Sequence, residues 1–144
     1  MAVILASSCL LGCECRYKGD GCKCDALIKL AESNTIIGVC PEQMGGLPTP
    51  RDPAERKGDK VISCAGKDVT KAYTKGAETA LYFAKLNHVD FAVMKAKSPS
   101  CGKGLIYDGT FTGNKIPGNG VTVELLNANG IPVFTEDELD QLPL

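Results

Sequence analysis

Three cysteines of this 144-residue chain stand in matching places. Cys9 follows the apolar run Ala2 to Ala6, Cys40 follows Thr35 to Val39, and Cys101 sits in the turn Ser98-Pro99-Ser100-Cys101-Gly102 after Phe91 to Met94. Short apolar runs bounded by turn residues read as buried strands, so each thiol is expected just beyond a strand's C-terminal end. If the strands are parallel neighbours, those ends share one edge and the thiols meet in the crevice where open α/β sheets take their ligands. Three convergent thiolates there make a metal or iron–sulfur site. They can hold three irons of a cubane [4Fe-4S] cluster and leave the fourth, a Lewis acid, without a protein ligand. Electron-transfer clusters usually carry four thiolates, so a set of three points to binding and converting a substrate. Cys13-Glu14-Cys15 and Cys22-Lys23-Cys24 offer a separate four-thiolate zinc or iron site, although their spacing is tight for one.

Eight cysteines in such a chain suit a reducing compartment with metal or sulfur chemistry better than a disulfide framework. Cys64 reads as a small buried hydrophobe. The single histidine, His88, falls where a helix should give way to a strand, and reads as a helix C-terminal cap or surface group, which argues against a Ser-His or Cys-His mechanism. The formal charge of −1 and the scattered basic residues announce no nucleic-acid footprint. No apolar run approaches the ~20 residues of a membrane span. The N-terminus enters a strand-like run without the basic region and cleavage site of a secretory signal, so a cytoplasmic protein is expected.

These thiols need elements to carry them. Ala2 to Ser7 is expected as the first, central strand, and Asp25 as the N-cap of a short helix through Ala31. Thr35 to Val39 is the second strand. The prolines and glycines of Gly45 to Pro53 exclude regular structure, so this is a long loop of the kind that often carries function. Lys60 to Cys64 reads as a short edge strand or β-arm turned by Gly66. Asp68 opens the longest helix, to about Leu86, with Gly76, Ala77, Ala80 and Ala84 forming a small-residue face. Asp90 to Lys95 is the third strand, and Leu105 to Gly113, with its Asp108-Gly109, a hairpin or turn. Gly120 to Asn129 is a helix stopped by Gly130, Ile131 to Phe134 a strand, and Thr135 the cap of a final short helix. Strand–helix–strand alternation predicts one α/β domain over residues 1–144, a three-layer Rossmann-like fold with a mostly parallel sheet.

Seven ordered motifs carry a family resemblance: Ser8-Cys9-Leu-Leu-Gly12, Cys15-Arg16-Tyr17, Cys40-Pro41-Glu42, Gly46-Leu-Pro-Thr-Pro-Arg51, Gly66-Lys-Asp-Val-Thr70, Ser98 to Gly102 and Tyr107-Asp-Gly-Thr-Phe111. Together, from about Ile4 to Ile131, they resemble the 2-thiouracil desulfurases, a bacterial family long catalogued as a domain of unknown function. The resemblance implies an α/β domain with an oxygen-sensitive [4Fe-4S] cluster on cysteines matching Cys9, Cys40 and Cys101. It implies that the iron without a protein ligand takes the thiocarbonyl sulfur while water replaces sulfur on the pyrimidine. The implied partner is a small thiolated base, with thiolated RNA less favoured. The extra thiols Cys13, Cys15, Cys22, Cys24 and Cys64 depart from the bare pattern. A binding or delivery protein that holds zinc, or passes on a cluster without catalysis, is the competing reading.

The chemistry assigns roles. A soft iron prefers sulfur to a carbonyl oxygen, and the water that adds at C2 must lose a proton to a nearby base. Glu42, two residues from Cys40, is the candidate, with a loop-bracing pair to Arg51 as its alternative. Ser98 and Ser100 are expected to donate hydrogen bonds to cluster sulfides or to the substrate, or simply to form the turn. Arg16 and Arg51 are expected to bind the substrate oxygen or brace loops. Asp68 is expected as a helix N-cap or, less readily, a group of the site.

Overall fold

Each apolar run finds a partner that covers it. The computed structural model describes residues Met1–Leu144. The chain runs β1 (Val3–Ser7), a 3-10 turn (Ser8–Leu11), α1 (Asp25–Lys29), β2 (Thr35–Val39), α2 (Pro41–Met44), β3 (Ala54–Lys57), β4 (Lys60–Ser63) and α3 (Thr70–Leu86). It continues through β5 (Phe91–Met94), β6 (Leu105–Tyr107), β7 (Lys115–Pro117), α4 (Val121–Ala128), β8 (Val133–Thr135) and a 3-10 helix (Glu136–Gln141). Four strands form one sheet in the order β2-β1-β5-β8, every pair parallel.

Successive strand residues point to opposite faces, and both faces are covered. Leu5, Ala92 and Met94 pack on Ala80 and Ala84 of α3 and on Val123 and Leu126 of α4. Ile4, Ala6, Phe91 and Val93 pack on Leu10 and on Leu27 of α1. Burial on two sides explains why these strands are continuously apolar. The result is the expected three-layer α/β fold with a parallel sheet. From β1 the chain moves outward to β2, then crosses back through α3 to β5 on the other side of β1. The order reverses at β1, and the crevice opens beyond the C-terminal ends of β1 and β5.

Two antiparallel ribbons lie outside this sheet, β3–β4 and β6–β7. Lys60–Ser63 is a ribbon strand, as its sequence suggests, but its partner Ala-Glu-Arg-Lys lacks apolar alternation and was not expected as a strand. Likewise the hairpin after Leu105 extends past Gly113 into Lys115–Pro117. Three helix starts are corrected. The N-cap position of α1 is Cys24, one before Asp25, and α1 ends at Lys29 before a 3-10 turn. The N-cap position of α3 is Val69, although Asp68 Oδ1 still accepts from Thr70 N at 2.9 Å. The four-residue α2 was not expected, though Pro41 at its first turn is a helix-start signal. Cys64 is exposed beyond the end of β4 and not a buried hydrophobe. Thr135 does cap the last helix: Asp137 N donates to its Oγ1 at 3.2 Å, and Thr135 N donates to Glu138 Oε1 at 2.9 Å.

The small-residue face of α3 packs α2 as well as the sheet. A Cβ on Gly76 would overlap the Pro41 carbonyl, and one on Gly45 would overlap the Ala72 carbonyl. Only glycine permits this approach, and it brings the residue after Pro41, Glu42, against the α3 side chains.

Candidate active site and metal centre

Beyond the C-terminal ends of β1, β2 and β5 lies a cavity of about 550 Å³, and Cys9, Cys40 and Cys101 all line it. Parallel register explains the meeting: Ser7 is opposite Val39, and Ala6 opposite Val93, so the chain leaves all three strands on one edge. Cys9 enters the 3-10 turn immediately after β1, and Cys40 is the N-cap position of α2. A fourth thiol, Cys15, lines the same cavity and is buried. It lies against Cys9 and Cys40, and Cys40 Sγ lies 3.7 Å from the Cys15 carbonyl.

Cys101 is carried on a turn built by its own side chains. Ser98 Oγ accepts from Ser100 N and from Cys101 N, each at 3.1 Å. Gly102 N donates to Ser98 O at 2.8 Å, and a Cβ on Gly120 would overlap the Ser100 carbonyl, so α4 clamps the turn. Ser98 lines the cavity, with its hydroxyl oxygen engaged in the turn. Ser100 does not line it: its side chain is fully buried and shares a 2.8 Å hydrogen bond with Thr122 Oγ1. That corrects its expected reach to the substrate, because Ser100 lies behind Cys101 and interacts with that thiol.

Glu42 lines the cavity and is held from two sides at one oxygen. Arg51 Nε donates to Oε1 at 3.0 Å, and Tyr73 Oη donates to the same atom at 2.9 Å. Oε2 accepts no hydrogen bond from the chain and is not sealed from solvent. Burial, then the Glu42 charge, pushes the Tyr73 phenol well above its ordinary range, so it remains a hydrogen-bond donor. Arg51 is a brace: Nη1 donates to Pro48 O at 3.2 Å and Thr49 Oγ1 at 3.0 Å, and Nη2 to Cys15 O at 2.9 Å. The two alternatives for Glu42 are therefore compatible, since the Arg51 pair uses Oε1 and leaves Oε2.

Arg16 lines the cavity and pairs with Asp20 at 3.6 Å. Lys95 also lines it, paired with Glu136 at 2.9 Å. Asp68 is exposed outside the cavity wall, occupied by the start of α3, so the structure does not bring it to the site. His88 is exposed at the C-terminal end of α3, with a left-handed φ of 52° and its N–H on Lys85 O, as a terminating residue should be. Tyr73, Lys95 and Ser7 were not singled out by sequence, and Cys15 only as an extra thiol or a member of the separate four-thiolate set. Tyr73 follows the apolar period of α3 and reads as core, and only its hydroxyl marks it as more.

The donor set fits an iron–sulfur cluster. Burial pushes the Cys101 thiol up to about 12, against opposing hydrogen bonds from Ser7 and Ser100. The Cys40 thiol is raised well above its ordinary range by its hydrogen bond with Cys15 and by burial. A hydrogen bond with Cys40 lowers Cys15, but Cys9 and burial outweigh it and bring it to about 11. Such thiols ionise when a cation supplies the missing charge. No three His, Cys, Asp or Glu side chains gather around one point as a lone metal ion requires. A cubane presents its irons at separate corners, so its thiolates approach from different strands. The separate zinc set is not assembled, since Cys15 is buried in the cavity while Cys13 is exposed.

Known proteins resemble this chain over nearly its whole length. The sequence profile of the 2-thiouracil desulfurases matches residues 4–138. The chain is similar to the uncharacterized protein YbbK of Bacillus subtilis (strain 168), 42% identical over 150 residues, covering 97% of this chain and 99% of that protein. It is also similar to the solved structure of a [4Fe-4S]-dependent thiouracil desulfidase, TudS, with TM-score 0.94 and 44% identity over 99% of this chain and 95% of that one.

Proposed function

We propose, from the premise that this chain belongs to the 2-thiouracil desulfurase family, that it is a [4Fe-4S]-dependent enzyme that removes sulfur from a small thiolated pyrimidine and leaves the oxygen of water in its place. The observation that carries the reading is the presence of Cys9, Cys40 and Cys101, from three parallel strand ends, in one cavity with Glu42. Those three thiols are the ligands in this reading. When bound, the cluster supplies an iron without a protein ligand, a soft Lewis acid for the thiocarbonyl sulfur.

The chain's own residues do the rest. Glu42 takes the proton of the incoming water at Oε2, while Arg51 and Tyr73 fix the carboxylate through Oε1. Arg51 also ties the Cys15 carbonyl to the loop from Pro48, so one guanidinium sets the base relative to the cysteine loops. Arg16 and Lys95 face the cavity and suit the carbonyl oxygen of the pyrimidine. Ser100 polarises Cys101 from behind instead of meeting substrate.

The substrate is a free base in this reading, since the cavity is walled by aromatic and thiol side chains and the formal charge of −1 gives RNA no general attraction. No helix is long and apolar enough to cross a membrane. Eight free cysteines suit a reducing cytoplasm. The test is anaerobic reconstitution followed by incubation with 2-thiouracil and, separately, thiolated RNA. Stoichiometric uracil and sulfide from the free base support the reading. Cluster-loaded protein that leaves every thiolated base intact, or passes its cluster to an acceptor instead, rejects it.

A further inference from the structure

The desulfurisation chemistry leaves the β6–β7 ribbon without a role. Its tip carries Phe111, which lines the cavity yet is 38% exposed. The Phe111 backbone has φ 58°, the left-handed region that a bulky L-residue rarely adopts. Turn chemistry alone would place Gly or Asn there, and such strain persists where surrounding structure enforces it, often at ligand sites. Here the enforcement is visible. Glu55 Oε1 on β3 accepts from Gly109 N at 3.0 Å and from Phe111 N at 3.2 Å. Asp108 Oδ1 accepts from Thr110 N at 2.9 Å, and Asp108 Oδ2 from Asn114 Nδ2 at 2.9 Å. The ribbon is anchored by the buried Ile106 of β6, while all three residues of β7 are exposed, so the tip beside the cavity is placed by these hydrogen bonds and not by packing of β7.

We propose that Phe111 is the base-stacking residue of the site, covering one π-face of the planar pyrimidine while its edge meets the thiols and Glu42. This rests on the desulfurase reading of the cavity. Stacking on an aromatic side chain is sequence-tolerant because every base has a π-face. It makes Phe111 a determinant of substrate class: an unsaturated ring stacks, and a puckered, saturated ring does not. Glu55 is then a positioning residue that holds the tip in the stacking conformation.

The chain contains no tryptophan, so Phe111→Trp installs a single fluorescent reporter at the proposed contact. Titration with uracil and with 2-thiouracil should quench it saturably, and 5,6-dihydrouracil should quench it far less. Quenching that is absent, or equal for the flat and the puckered ring, overturns the proposal whether or not the protein desulfurates anything. In cluster-loaded enzyme, Phe111→Ala should raise KM for 2-thiouracil by roughly ten-fold or more, with kcat and iron content much less changed, and Phe111→Tyr should restore KM. Wild-type KM in Phe111→Ala overturns stacking while leaving desulfuration standing. Absence of turnover in wild type sinks the desulfurase reading instead, and the quenching still reports on Phe111.

Discussion

At the scale of single residues the account turns on the two oxygens of Glu42. Oε1 is held by Arg51 and Tyr73, and Oε2 is left for a proton. Glu42→Gln should keep iron content and absorbance but lower turnover by about 10²-fold or more, the usual scale for losing a general base; near wild-type turnover would exclude that role. Tyr73→Phe should cause a smaller, several-fold loss, because Arg51 still holds the carboxylate. Glu42 was legible in sequence because it follows Cys40 by two residues. Tyr73 was not, since helical periodicity places its ring in the core and says nothing of its hydroxyl. Cys15 was legible as an extra thiol, but not as the one that turns inward, where Arg51 from far along the chain reaches its carbonyl.

At the scale of elements, the parallel strands could be read because burial on both faces leaves an uninterrupted apolar run. The ribbons could not, because Ala54–Lys57 and Lys115–Pro117 are held by a partner strand and not by an apolar pattern. The α2–α3 contact should be sensitive to one methyl group. Gly76→Ala forces a Cβ into the Pro41 carbonyl, an overpacking worth about 1–3 kcal/mol, and thermal melting should fall by several degrees. An unchanged melting temperature would mean α2 does not depend on this approach. The terminal 3-10 helix makes a pH prediction. The hydrogen bond from Lys103, opposed by desolvation and aided by Thr135 N, holds Glu138 below its ordinary value of 4.5. A depressed carboxylate contributes stability above that ordinary value and loses it as pH falls through the depressed one. Glu138→Gln should therefore be less stable than wild type at pH 7, with the gap closing as pH falls below 4.5. Denaturant midpoints at a series of pH values measure this, and a gap that persists in acid contradicts it.

At the scale of the whole molecule, three thiols separated by 31 and 61 residues of sequence meet because β1 is central and its neighbours are parallel. Topology does what no local motif can, which is why spacing alone suggested a metal site without specifying its shape. The ordering of the seven family motifs supplied what spacing did not, and the folded chain puts their cysteines, Glu42, Arg51, Tyr107 and Phe111 around one cavity. Asp68 and Ser100 are motif residues outside it: Asp68 starts α3, and Ser100 is buried behind Cys101 on Thr122.

The most direct measurement is iron and sulfide content, with absorbance, of anaerobically reconstituted wild type beside Cys9→Ala, Cys40→Ala, Cys101→Ala and the control Cys64→Ala. The account predicts about four irons and a brown colour in wild type and in Cys64→Ala. It predicts loss of both the colour and sulfide release from 2-thiouracil in each of the other three. A full complement of iron with undiminished sulfide release in any one of those three would contradict it.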